Sequence, residues 1–173
     1  MAAAFEMSNL KLGRTKSGHV VRIEGRGTMR ESRMFHEFAA DCLENGPCTL
    51  TADLSSCEYL DSTFLGCLLD LNKRYASNDR FSIAASSQHC HKLLGATRLD
   101  KILNIKDQVP AVIGPYVPIP KAAFDARELG HHVLECHRQL AQIEGPEQAV
   151  FAELVKRLAG ELQAKQSAGG PGA

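Results

Sequence analysis

Short runs of β-forming residues alternate with amphipathic runs of helical period between residues 8 and 106. The order of these runs is β-β-α-β-α-β-α-β. Parallel neighbours in a sheet need a crossover connection, which is usually a helix, so the alternation predicts an α/β domain with a largely parallel sheet. The first two runs lie within residues 8–24 and are separated by the turn segment TKSG, which predicts an antiparallel pair.

Apolar spacing and chain breakers give bounds for the other elements. The predicted helices cover residues 29–43, 62–75 and 87–94. The predicted strands cover residues 48–54 and 80–85, and residues 99–105 are predicted to form a turn followed by a strand. A loop is expected over 55–60. With 44% apolar residues in a chain of 173, the composition predicts one domain with a real core plus an appendage.

A Pro-rich segment and two helical runs follow this domain. Residues 107–120 contain four prolines, which cannot continue a helix, so we predict a linker or a strap over the domain. Residues 121–166 carry two apolar seams separated by the helix-breaking segment EGPE, which predicts a C-terminal helical hairpin. We expect these seams to pack within the chain, with a homodimer through the C-terminal helices as the alternative, and a disordered tail over residues 167–173.

The charge balance excludes several classes of partner. The chain has 20 basic and 20 acidic residues, so no electrostatic signal for nucleic acid or an anionic membrane is present. The first residues lack the pattern of an export signal, and no run approaches the length of a spanning helix, so we expect a cytoplasmic protein. The six cysteines include no CxxC pair, and we interpret Cys42, Cys57, Cys67 and Cys136 as free thiols that pack as small hydrophobes.

A polar interruption stands between two strongly apolar runs. Asp61, Ser62 and Thr63 separate the strand LTADL and its loop from the helical run FLGCLLDL. This pattern predicts a helix that begins at the hydroxyl residues, where unpaired backbone amides favour a capping oxygen or an anion. On local pattern alone, an ordinary N-cap without any regulatory role is the more common explanation of these residues.

The segment DLSSCEYLDSTFLG, residues 53–66, resembles the signature of the STAS domain, the fold of bacterial anti-sigma factor antagonists. The similarity extends over about residues 8–106 and includes the strand GPCTLTADL and the later segment SSQHCHKLLGATRLDKILNI. The resemblance implies a STAS-like mixed, largely parallel sheet with helices. The Pro-rich segment and the helical hairpin lie outside it.

The resemblance also implies a phosphorylation switch. In this family the serine after the aspartate, here Ser62, is phosphorylated by a partner that is both an anti-sigma factor and a serine kinase, and the unphosphorylated antagonist binds that partner. Thr63 is the alternative acceptor, and a serine phosphatase is a further expected partner. This chain has Phe64 where the pattern usually has glycine, and Phe64 could serve as a docking anchor. The predicted partner-binding residues are Asp61, Ser62, Thr63, Phe64, Leu65 and Gly66. The alternatives are a STAS scaffold that oligomerises without phosphorylation and a domain that senses a small ligand or nucleotide.

Other clusters carry weaker signals. One helical run holds a cluster of potential metal ligands: His131, His132, Glu135, Cys136 and His137. A metal site there would need further ligands from another element, such as His89, Cys90 and His91. We predict packed thiols and solvated imidazoles instead. Arg22, Arg26, Arg30 and Arg33 alternate with Glu24 and Glu31, which favours a solvated face of mixed charge. No nucleotide-binding loop, nucleophile elbow or paired catalytic carboxylate is found, so we expect a protein that is not an enzyme and needs no cofactor or metal.

Overall fold

A six-stranded sheet, a two-stranded sheet and five α-helices make up residues 7–169, the part of the chain that this computed structural model describes. The strands are β1 (Met7–Arg14), β2 (Gly18–Ile23), β3 (Gly25–Gly27), β4 (Thr49–Asp53), β5 (Cys57–Leu60), β6 (Phe81–Ala84), β7 (Ile105–Lys106) and β8 (Ile113–Pro120). The helices are α1 (Met29–Glu44), α2 (Ser62–Tyr75), α3 (Ser87–Leu94), α4 (Ala126–Leu140) and α5 (Gln148–Ala168). Short 3₁₀ turns follow α2 and α3.

The large sheet has the strand order β7-β6-β4-β2-β1-β8. Strands β2, β4, β6 and β7 are parallel to one another, with Val20 opposite Thr51 and Leu50 opposite Phe81. Strand β1 is antiparallel to β2. The predicted α/β fold, with its largely parallel sheet and its antiparallel opening pair, is confirmed.

Strand β8 corrects the predicted linker. Residues 113–120 pair antiparallel with β1 and form one edge of the large sheet. Proline has no amide hydrogen to donate, so a strand with three prolines is compatible with a sheet edge and not with its centre. The pairing is irregular, with shifts between Met7 and Lys11 and between Leu12 and Arg14.

Strand β5 corrects the loop expected over residues 55–60. It pairs in parallel with β3 in the small sheet, where Gly27 lies opposite Leu60. The amide of Asp61 then donates to the carbonyl of Gly27 at 3.0 Å. This small sheet fixes the backbone that leads directly into the first turn of α2.

The core joins α1 and α2 to the large sheet. Phe35 of α1 contacts Phe64 of α2, with ring centroids 5.6 Å apart, and also Phe81 of β6 at 6.4 Å. All three rings are fully buried. A Cβ added at Gly27 would lie 2.9 Å from the Phe64 ring, so glycine at that position provides the space that the ring fills.

The C-terminal residues form the expected pair of helices, but the first helix begins at Ala126 rather than at residue 121. Helix α4 begins after Asp125, whose carboxylate accepts from the amide of Arg127 at 2.7 Å. Contacts of Gly130 with Leu162 and of His137 with Phe151 show that α4 and α5 run antiparallel. Helix α5 continues to Ala168, so residues 167 and 168 are helical rather than part of a disordered tail, and residues 170–173 lie outside the described part.

The cysteine prediction is correct for Cys57, Cys67 and Cys136 and wrong for Cys42, the fourth residue that it named. Cys57, Cys67, Cys90 and Cys136 are buried free thiols. Cys42 instead forms a disulfide with Cys48, and their Cα atoms are 6.1 Å apart. The turn between the end of α1 and the start of β4 brings the two cysteines together. The sequence reasoning looked for a CxxC motif and therefore missed this pair, which is six residues apart. Within residues 7–169, none of the helices has the length and apolar character needed to cross a bilayer.

Candidate functional site

The first turn of α2 is capped by Asp61. The Oδ1 atom of Asp61 accepts from the amide of Phe64 at 2.9 Å, which satisfies one of the unpaired donors of the helix. Burial raises the pKa of the Asp61 carboxyl, and hydrogen bonds from the backbone amides of Phe64 and Met29 offset part of that rise. The polar interruption in the sequence is therefore a helix start, as its pattern predicts.

Ser62 is the first residue of α2, and its hydroxyl contacts helix α4. The distance between Ser62 Oγ and His137 Nε2 is 2.8 Å. The other ring nitrogen, Nδ1, lies 2.7 Å from the carbonyl oxygen of Val133. Because a carbonyl only accepts, Nδ1 carries a hydrogen, and in the neutral ring Nε2 accepts from the Ser62 hydroxyl. The ring of His137 is 4% exposed.

Helix α4 approaches α2 closely at Gly66. A Cβ at this position would lie 2.1 Å from the backbone oxygen of Cys136, so only glycine permits this separation of the two helices. Further along, Lys73 Nζ donates to the side-chain oxygens of Gln139 and Gln142, both at 2.8 Å. Helix α4 thus packs on the side of α2 that carries Ser62 and Gly66.

The predicted partner-binding residues differ in exposure. Thr63, Phe64, Leu65 and Gly66 are buried, whereas Asp61 and Ser62 are partly exposed. Phe64 is fully buried against Phe35, so it supports the core and cannot act as a docking anchor in this conformation. That expectation for Phe64 is corrected, because the ring fills the space left at Gly27 rather than facing solvent.

An exposed rim beside Asp61 was missed by the sequence reasoning. Tyr59 and Met29 are 42% and 41% exposed, and the guanidinium of Arg26 lies over the Tyr59 ring at 4.2 Å. Exposed apolar side chains are typical of interaction surfaces where they form a contiguous patch. The sequence offered one signal for this rim: Tyr59, a large aromatic residue, lies two residues before Asp61.

The comparisons with known proteins agree with this architecture. The family model described as "Mlab, STAS domain" matches residues 10–105, more than half of the chain. The chain belongs to the STAS-domain family. The search of curated proteins found no match to this sequence.

Two solved structures are similar to this STAS protein. An anti-sigma factor antagonist from Mycobacterium paratuberculosis superimposes with a TM-score of 0.50 at 19% identity, over 63% of this chain and 92% of that one. A candidate anti-sigma factor antagonist from Thermotoga maritima gives a TM-score of 0.43 at 24% identity, over 52% of this chain and 80% of that one. At these identities the first likeness establishes the fold alone.

The histidines considered as metal ligands lie apart in the STAS protein. His132 contacts Ser32 Oγ at 2.6 Å, while His137 contacts Ser62. His89 lies 2.7 Å from the Cys57 carbonyl, and His91 lies 2.9 Å from Asp100. His132 and His137 are buried, so the expectation of solvated imidazoles is wrong for both.

Cys136, the thiol near these histidines, belongs to no group of three potential metal ligands among residues 7–169. Cys136 Sγ lies 3.7 Å from His132 Nε2, but burial raises the pKa of the Cys136 thiol to about 12. Cys136 therefore serves as a packing residue between α4 and α2.

Three arginines of the mixed-charge cluster have defined partners. Arg22 pairs with the buried Asp53 at 3.0 Å and lies over the Tyr116 ring of β8. Arg33 pairs with Glu37 at 2.9 Å. Arg26 stacks on Tyr59, as described above. Arg22 thus connects β8 to the STAS domain, and Arg26 packs on the exposed rim.

Proposed function

We propose that this STAS protein is an anti-sigma factor antagonist whose binding to an anti-sigma factor with serine kinase activity is switched by phosphorylation of Ser62. The observation that carries the proposal is the position of Ser62, the first residue of α2 and directly after the capping Asp61. The STAS family match and the residue pattern DSTFLG support it. Thr63 is a poorer acceptor because it is 3% exposed.

A phosphate on Ser62 changes the charge at the start of α2 without unfolding that helix. It adds about 1.5 to 2 negative charges near pH 7. The free amides at the start of α2 favour an anion there, so the helix itself tolerates the modification. With Asp61 adjacent, the local charge becomes strongly negative and repels an acidic partner surface.

Helix α4 competes with the partner for the same surface. The 2.8 Å contact between Ser62 Oγ and His137 Nε2 leaves no room for a phosphoryl group, so the kinase acts on a conformation in which α4 has moved away. Partner contact with Leu65 and Gly66 requires the same movement, because Gly66 packs on the Cys136 backbone. The exposed rim of Met29, Tyr59 and Arg26 offers the first contact while α4 is still docked.

Phosphate mapping tests the proposal. The full chain is incubated with ATP and each anti-sigma factor kinase of its source organism, and the modified residue is located by mass spectrometry. We expect phosphate on Ser62, none in Ser62→Ala, and normal transfer in the control Ser86→Ala, which changes the N-cap of α3. Unchanged transfer to Ser62→Ala, or no transfer to the wild-type chain by any of these kinases, would refute the switch. A serine phosphatase that removes this phosphate completes the proposed cycle.

A STAS scaffold that acts without phosphorylation is the second candidate. The observation that favours it is the Ser62 hydroxyl, which already has a partner in His137. In that case the C-terminal helices mediate a homodimer, and Val150 of α5, 60% exposed, is a suitable contact. Light scattering distinguishes the two functions: a dimer that Val150→Glu dissociates supports the scaffold, and a monomer excludes it.

A further inference from the structure

Three potential metal ligands meet at the edge of the domain where α1 ends and β4 begins. His19 lies on β2, Cys42 in the last turn of α1, and Cys48 just before β4. Their ligand atoms all lie within 4.8 Å of one another, and among residues 7–169 they are the one group of three His, Cys, Asp or Glu side chains that does so. We propose that the reduced form of this cluster, His19 with Cys42 and Cys48, is a zinc site.

The distances match a tetrahedral zinc site along two of its edges. The Nδ1 atom of His19 lies 3.6 Å from Cys42 Sγ and 3.5 Å from Cys48 Sγ. With Zn–S of about 2.3 Å and Zn–N of about 2.0 Å, tetrahedral geometry places sulfur and nitrogen about 3.5 Å apart. The third edge, between the two sulfurs, opens to about 3.8 Å once the disulfide is reduced.

The loop that carries Cys48 is held by contacts that do not depend on the disulfide. The guanidinium of Arg80 donates to the backbone carbonyls of Leu43 and Gly46, and its Nε donates to the carbonyl of Cys48 at 3.3 Å. The His19 ring is oriented by Phe38, which packs against it edge to face at 5.5 Å. Reduction therefore leaves the three ligands near the positions that an ion requires.

The cluster differs from the other thiols in accessibility and chemistry. His19, Cys42 and Cys48 are partly exposed. The four free thiols, by contrast, are buried, and burial raises the pKa of each of them: Cys57, Cys67, Cys90 and Cys136. Two thiolates and one imidazole form a ligand set that favours zinc over magnesium or calcium. Three protein ligands leave the fourth position for water or another ligand.

The reduced and oxidised forms exclude each other at this site. A phosphine reductant breaks the Sγ–Sγ bond and is oxidised to phosphine oxide with the oxygen of one water. The two hydrogens of that water are transferred to the sulfurs of Cys42 and Cys48, which become thiols. Zn²⁺ then displaces the two thiol protons. In the disulfide form the sulfurs carry no displaceable proton and are not thiolate ligands.

Cobalt and zinc titrations of the full chain test this proposal. After reduction with a phosphine under argon, Co²⁺ is added, and the thiolate-to-cobalt charge-transfer and tetrahedral d–d absorption bands are recorded. We expect one equivalent of Co²⁺ to bind, and one equivalent of Zn²⁺ to displace it. The oxidised chain, Cys42→Ser and His19→Gln should lose this binding, while the control Cys90→Ser should retain it.

Three results would overturn the proposal. They are no cobalt bands in the reduced wild-type chain, bands of equal intensity in the oxidised chain, and undiminished stoichiometric binding by both Cys42→Ser and His19→Gln. Circular dichroism of each variant in the absence of metal verifies folding, and His19→Gln keeps both cysteines, so its result does not depend on loss of the disulfide. The first of these results would leave the pair as a structural disulfide.

Discussion

Gly66 is the residue at which the contact between α2 and α4 is most sensitive to change. In Gly66→Ala the added Cβ would lie 2.1 Å from the Cys136 oxygen, so α4 must shift away from α2. We expect a loss of about 1–3 kcal/mol in the free energy of unfolding and faster amide exchange in α4. Hydrogen exchange with mass spectrometry measures both the site and the extent of the change.

Gly160 is the matched control for this substitution. It lies within α5, and a Cβ there would meet nothing within 4 Å. Gly160→Ala should therefore leave α4 exchange unchanged and stabilise α5 by up to about 1 kcal/mol. Equal effects of the two substitutions would contradict the close approach of α4 to α2.

Phe64 tests whether the atypical residue of the STAS signature belongs to the core. Phe64→Ala removes a fully buried ring that contacts Phe35, so we expect a loss of about 3–5 kcal/mol in the free energy of unfolding. Tyr59→Ala, at a 42% exposed position, should cost far less stability and should weaken partner binding instead. Chemical denaturation compares the two, and an unchanged stability of Phe64→Ala would disprove its core role.

We expect the docking of helix α4 on α2 to limit access to Ser62. His137→Ala removes the hydrogen bond to Ser62 Oγ, a loss of about 1 kcal/mol. That loss shifts the equilibrium towards undocked α4 about five-fold, so Ser62 should be phosphorylated about five times faster. Initial rates measured with the same kinase test this, and His131→Ala, at an exposed position of α4, is the control. A rate that falls in His137→Ala would mean that α4 assists the kinase.

The elements that the sequence predicts correctly are those with a strong period. Helices α1 and α2, and the parallel strands β4 and β6, follow from regular apolar spacing and from clear breakers. Strand β8 could not be predicted, because its prolines argue against a strand and only its partner β1 makes an edge position available. Strand β5 has four residues, and its pairing with β3 is a tertiary contact without a local signal.

The candidate site shows the same division. The capping Asp61 and the helix start at Ser62 are local features, and the sequence predicts both. The cover over them depends on a contact between residues 62 and 137, which are 75 positions apart. Burial of His132 and His137 has the same origin, because the apolar seam of α4 indicates a packed face but not which helix it packs on.

At the scale of the whole molecule, stability should fall in mild acid because His132 is buried without charge. Burial, with the nearby His36 and Arg33, lowers the pKa of His132 to about 4. In the unfolded chain this pKa is about 6.5, so the unfolded state binds the proton first as the pH falls. The contribution of neutral His132 to the free energy of unfolding is complete above about pH 6.5. As the pH falls towards about 4, this free energy decreases by about 1.4 kcal/mol per pH unit.

Chemical denaturation between pH 7 and pH 4.5 measures this dependence. Since other groups also titrate, the informative quantity is the difference between variants. His132→Asn should flatten the slope, and His131→Asn, at an exposed position, should not. Identical slopes in the wild-type chain and His132→Asn would contradict the prediction.

We propose that phosphorylation of Ser62 weakens the binding of an anti-sigma factor at a surface that α4 covers. The test is isothermal titration calorimetry with the anti-sigma factor kinase that phosphate mapping identifies. This kinase is titrated into the full chain, once with serine and once with phosphoserine at position 62. We predict binding at least about 10-fold weaker with phosphoserine, equivalent to about 1.4 kcal/mol, and about five-fold tighter for the unphosphorylated His137→Ala chain. Equal affinity of the serine and phosphoserine forms would contradict the account.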